Sequence, residues 1–161
     1  MGAWGSPDSE LIHERLVKHL ALESYGKAAS YLESQAADGS WADIDYEGQT
    51  RTNWKPVQHL ARLEKMALAQ YHDPDAQRLM AIEKGLEYWY QRKLKCPNWW
   101  YNDIGQQLYM STILMLLRDS LSRDLLRQGA GYMRNPDMTG QNRIWLATQT
   151  VYRGCLLGKD T

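Results

Sequence analysis

With 161 residues, 43% of them hydrophobic and 24% charged, the chain has the size and balance of one globular domain able to bury a core. Nineteen basic residues offset nineteen acidic ones, which excludes the broad cationic face used for nucleic acid, and no apolar run approaches the ~20 residues of a membrane-spanning helix. The aromatic set is seven Trp, ten Tyr and no Phe, rings with polar handles that suit half-exposed surfaces and tilt the reading toward a binding cleft.

Helical periodicity runs through nearly the whole chain, and strand-like alternation is nearly absent. The start, "MGAWGSPDSE", has no basic segment followed by an apolar one, so it does not read as a secretory signal. Residues 1–8 are expected to be a disordered or appended end. From Ser9, a candidate cap, Leu11, Leu16, Leu20, Leu22, Tyr25 and Leu32 fall on helical faces through residue 35. Gly26 marks a bend or a break into two helices. Residues 37–56, "ADGSWADIDYEGQTRTNWKP", carry turn residues and no helical stripe and read as a long ordered loop.

Pro56 opens a helix expected over 56–72, and Asp73-Pro74 announces another over 75–93. "CPNWWYNDIG" (96–105) then reads as a loop in which Trp99 and Trp100 are either a core plug or a ligand platform. A strongly apolar core helix is expected over 105–119 and another over 121–134. A polar turn, "NPDMTGQN", follows, and the last helix covers about 142–157. Six or seven helices with short turns suggest antiparallel hairpins stacked as a bundle, solenoid or toroid.

His13 and His19 stand six apart, where a zinc-binding helix needs two His four apart, and His59 and His72 show no ligand spacing. GxSxG, P-loop and GxGxxG motifs are absent. Cys96 and Cys155 make no CxxC pair and read as two buried free thiols. No metal or cofactor is implied. "QAADGSW" (35–41) is similar to the Gln/Trp repeat of terpene cyclases, a motif that ties helix ends together in an α/α barrel. It occurs once, without the aspartate-rich loops of that family.

Three segments are more specific together. "DGSWADIDY" with "NWKPVQHLARLEKMALAQY" (38–71), "CPNWWYNDIG" (96–105) and "TGQNRIWLA" (139–147) follow one another as they do in polysaccharide lyase family 8, which holds chondroitin, hyaluronan and xanthan lyases. The resemblance covers residues 25–158 and matches the N-terminal α-helical domain of that family. It implies an all-α fold, an incomplete α/α toroid built of antiparallel helical hairpins, with residues 9–161 as its N-terminal part.

The resemblance also implies β-elimination on a uronate-containing polysaccharide. The C5 proton of the uronate is weakly acidic, so its carboxylate must be neutralised and the enolate stabilised by positioned donors, with a base in reach of the proton. By resemblance, Asn142 addresses the uronate carboxyl group, since an amide donates to a carboxylate without carrying a full charge. From spacing alone Asn142 would instead be a helix N-cap after Gly140. Trp99 and Trp100 match the family's sugar-stacking pair, Asn98 could take sugar hydroxyls, and Arg143 could assist with charge or be solvated.

Ile104-Gly105 runs into Gln106 without the proline the family carries nearby. The family's catalytic His and Tyr lie beyond its Asn, and His13, His19, His59 and His72 match neither. These 161 residues are therefore expected to be a lyase fragment, inactive alone for want of a general base. The implied partner is an acidic polysaccharide, not nucleic acid or a membrane, in an extracellular or periplasmic setting. Self-association through surface left open in a partial toroid is a further expectation. The alternatives are a non-catalytic helical module for carbohydrate binding or assembly, and a terpene-cyclase-like α-barrel.

Overall fold

The computed structural model describes residues 6–133 and 138–158, and these form seven α-helices joined by turns and one long loop, with no strand among the described residues. α1 spans Pro7–Leu20 and α2 spans Ala28–Ser34. Ser6, rather than Ser9, caps α1: its hydroxyl accepts from the Ser9 amide at 3.4 Å, and Pro7 takes the first turn, where its missing N–H costs nothing. The 9–35 stretch is thus two helices, broken over 21–27 around Gly26.

α3 (Val57–His72) and α4 (Ala76–Arg92) form a hairpin across a three-residue turn. Asp75 closes the start of α4 by accepting from the Arg78 amide at 2.7 Å. The direction is antiparallel, since Trp54 meets Trp89 while Leu63, further along, meets Gly85. α5 (Gln106–Leu117) is apolar on nearly all sides and runs through the middle, packed most extensively on α3 and also on α1, α6 and α7. α6 (Arg123–Ala130) is capped by Ser122 and stops at a Gly131 turn, four residues short of the expected end. The expected polar turn lies partly outside the described residues, and α7 covers Gly140–Leu157. The two cysteines are buried free thiols, and no helix among the described residues is long and apolar enough to cross a membrane.

The 35–56 loop is held by its aromatic residues. The Trp41 indole, 1% exposed, donates to the Tyr31 carbonyl of α2 at 2.9 Å. The Gln35 amide donates to Gly39 and, across to α4, to Ala81 at 3.1 Å. The last turn of α2 is therefore tied to the loop by Trp41, while Gln35 ties the loop to the interior of α4 rather than to a second helix end. Gly39 is at φ +91°, and a Cβ there would land on the Lys84 carbonyl, so this approach of loop to helix requires glycine.

Beneath the loop lies His59, 0% exposed. Its Nε2 is 2.8 Å from the Gly85 carbonyl, which can only accept, so Nε2 carries the proton and Nδ1 accepts from the Tyr46 hydroxyl at 2.9 Å. The Tyr46 oxygen in turn accepts from the Trp41 amide at 3.1 Å. Burial lowers the His59 pKa to about 4 and raises that of Tyr46 to about 12. His59 is a neutral core residue.

Candidate functional site

The Cys96–Gly105 segment is not a loop throughout. The chain has no regular structure at Cys96 and bends at Pro97 and Asn98, then becomes helical at Trp99, passes through a π-helical turn (Tyr101–Gly105) and continues into α5. In that turn the Gln106 amide donates to Tyr101, five residues back. Two asparagines shape the entry. The Asn98 side chain accepts from the Trp100 amide at 3.0 Å, acting as an N-cap, and donates to the Arg51 carbonyl at 3.1 Å. The Asn102 amide grips the backbone of Cys96 with both arms, at 2.8 and 2.7 Å. The Asn98 amide is thus already engaged within the segment, on both its oxygen and its nitrogen.

The two tryptophans part company. Trp99 is 50% exposed, a large ring left facing solvent. Trp100 is half-buried; its ring lies over Gly105, where a Cβ would meet it at 2.8 Å, and it stands edge-on to Tyr101 and to Trp145 of α7, with ring centroids 6.4 Å apart for the latter pair. Plug and platform are therefore divided between neighbours: Trp100 packs, and Trp99 is presented.

Trp100 and Trp145 form one wall of a cleft of about 650 Å³ between α1, α3, α5 and α7. Glu64, Tyr109, Gln149 and Tyr152 also line it. Burial raises the Glu64 carboxyl and the Tyr109 and Tyr152 phenols above their ordinary values. Gln149 is 2% exposed, and its side-chain oxygen has no hydrogen-bond partner among the described residues. Among the described residues, the lining carries two carboxylates, Glu23 and Glu64, and no cation.

Asn142 is the third residue of α7, half-buried, with helix on both sides. It is not the cap, because the capping position falls to Thr139. It stands three residues before Trp145, one helical turn along the same face, and so at the α7 end of the cleft rather than among its lining. Arg143, next along, is exposed and enters no ion pair among the described residues. Sequence reading missed Trp145, Gln149 and Glu64. The first two were discoverable, since Asn142, Trp145 and Gln149 repeat at helical spacing; Glu64 comes from a distant helix and carries no local signal.

The chain's similarities agree with this architecture. The model for polysaccharide lyase family 8, N terminal alpha-helical domain, matches residues 9–161. Chondroitinase-AC of Pedobacter heparinus is 30% identical over 166 residues, covering 94% of this chain and 24% of that protein. A solved chondroitinase AC lyase, studied as enzyme–oligosaccharide complexes, superposes with a TM-score of 0.83 at 29% identity, over 92% of this chain and 24% of that one. Xanthan lyase from Paenibacillus has the same fold, with a TM-score of 0.70 at 22% identity over 89% of this chain and 15% of that one. The chain thus spans about a quarter of the length of the curated relative it matches.

Proposed function

The chain belongs to polysaccharide lyase family 8, as its N-terminal α-helical domain, an incomplete α/α toroid, and on that premise we propose that it supplies the substrate platform of a lyase acting by β-elimination on uronate-containing polysaccharide, of the chondroitin or hyaluronan type. The observation that carries this reading is an exposed Trp99 next in sequence to Trp100, whose ring with Trp145 walls the cleft, and Asn142 one turn before Trp145 on α7. Flat indole faces suit the C–H face of a pyranose, and as successive helical residues Trp99 and Trp100 point in different directions, one out and one in.

In the proposed reaction the Asn142 amide donates to the uronate carboxylate, so that negative charge developing on removal of the C5 proton is stabilised where it forms. Arg143 adds long-range charge from the same helical turn. Asn98, with its amide committed to the Trp100 and Arg51 backbone, positions the Trp pair first and can offer a sugar hydroxyl only its remaining lone pair and N–H. Of the titratable groups here, the Tyr109 and Tyr152 phenols are held protonated by burial and His59 is enclosed in the core, while Glu64, its pKa raised by burial, is the cleft group closest in character to a general base. The family's His and Tyr have no match among these 161 residues, which by themselves are expected to bind with little or no turnover. The working site would be outside the cytoplasm, extracellular or periplasmic, where such polymers are met.

Tryptophan fluorescence during titration with a chondroitin or hyaluronan oligosaccharide tests the platform. Saturable binding is expected, weakened about tenfold in Trp99→Ala, with no growth of unsaturated-uronate absorbance. Unchanged affinity in a folded Trp99→Ala protein would refute the platform, and clear turnover would refute the missing-base argument.

A further inference from the structure

A second pocket, of about 380 Å³, opens on the other flank of the Trp-bearing segment, between the end of α4, the start of α5 and the turn after α6. Its chemistry is the reverse of the aromatic cleft's. Lys93 and Lys95 stand at its edge, both exposed and neither in an ion pair among the described residues, and no carboxylate lines it. Gln106 is 3% exposed and lines the pocket; its side-chain oxygen accepts from the Trp89 indole at 3.3 Å, while its amide nitrogen has no partner among the described residues. Its remaining N–H groups are open to the pocket, where an anion can accept from them beside the two cations. The half-buried Tyr132 ring, stacked on Tyr90 with centroids 5.9 Å apart, adds a flat apolar wall.

We propose that this pocket is a second saccharide site, in which Lys93, Lys95 and Gln106 take an acid group of the polymer and Tyr132 takes the sugar face. The proposal rests on the polysaccharide reading and adds cations that the lining of the aromatic cleft lacks: Glu23 and Glu64 line that cleft, so a polymer that places one carboxyl group at Asn142 can rest a further acid group on Lys93 and Lys95. The segment carrying Lys93 and Lys95 runs straight into Cys96, which the Asn102 side chain ties to the π-helical turn, so the pocket rim and the tryptophan platform are parts of one braced segment.

The test is a titration of the 161-residue chain with a chondroitin sulfate tetrasaccharide, followed by NMR at the Gln106 side-chain amide and by affinity at several salt concentrations, in wild type and in Lys93→Gln/Lys95→Gln. The expected result is a shifted Gln106 amide in wild type, and roughly tenfold weaker binding with a shallower salt dependence in the double variant. Parallel titrations with hyaluronan tetrasaccharide and with inorganic sulfate separate carboxylate from sulfate recognition. If the tetrasaccharide binds both proteins equally with Gln106 unmoved, the second site is overturned while the polysaccharide reading stands. If sulfate alone shifts Gln106, and only in wild type, the anion site stands and the polysaccharide reading fails. No response to any probe overturns both.

Discussion

Replacing His59 by Gln should flatten the acid side of the stability profile. In the folded chain the His59 ring is held neutral, its pKa lowered to about 4 by burial first and by the Arg62 charge next, against an ordinary value of 6.5. The unfolded chain therefore binds a proton that the folded chain refuses. His59's contribution to stability is fully present above about pH 6.5 and is lost as the pH falls toward 4. Between pH 7 and pH 4.5 that loss amounts to about 2 kcal/mol for this one group. His13 is lowered in the same sense, burial being the largest cause, so part of the decline persists in the variant. Urea denaturation of wild type and His59→Gln at both pH values reads the difference directly. The variant should start less stable, because Gly85 and Tyr46 lose their partner, but should lose about 2 kcal/mol less on acidification. Parallel pH profiles would refute the reasoning.

Other substitutions sort the site from the scaffold. Trp99→Ala should change stability by less than about 1 kcal/mol, because the ring is already half in solvent, whereas Trp100→Ala should cost about 2–3 kcal/mol by opening space over Gly105 and Trp145; thermal melts distinguish them. Gly39→Ala should destabilise by about 3 kcal/mol or more, combining a disfavoured φ with a clash on Lys84, while Gly140→Ala, at φ +66° with open space around it, should cost about 1 kcal/mol. Glu64→Gln should become progressively more stable relative to wild type as pH rises above the usual glutamate range. The buried carboxyl has a raised pKa, so its ionisation costs the fold stability as pH rises, and denaturation at pH 4 and pH 7 checks the sign.

Helices were legible where periodicity was strong. α3 and α4 begin within a residue of their expected starts because Pro56 and the Asp73–Asp75 turn are local signals. The segment holding the two tryptophans was misread as a loop, since proline, asparagine and glycine there suggested irregular chain. In the structure Asn98 and Asn102 spend their amides on backbone and build a cap and a π-helical turn instead. That difference depends on which partners the amides find, Arg51 being 47 residues away, and no local pattern encodes it. The single Gln/Trp motif conveyed its structural content, a tryptophan tied to a helix end, but family membership sets the terpene-cyclase-like reading aside. Asn142 as a cap was a fair inference from Gly140, yet α7 starts two residues earlier and places it inside the first turn.

The proposed site depends on recognition of a uronate carboxylate by the first turn of α7. Its most direct test compares affinity for a uronate oligosaccharide with affinity for the same oligosaccharide after reduction of its carboxyl groups, in wild type and in Asn142→Ala. Wild type should prefer the uronate form by about tenfold, the worth of one charge-assisted hydrogen bond of about 1.5 kcal/mol, and Asn142→Ala should lose most of that preference while Trp99 still responds to both sugars. A preference left intact in Asn142→Ala would contradict the assignment of the carboxylate to this turn.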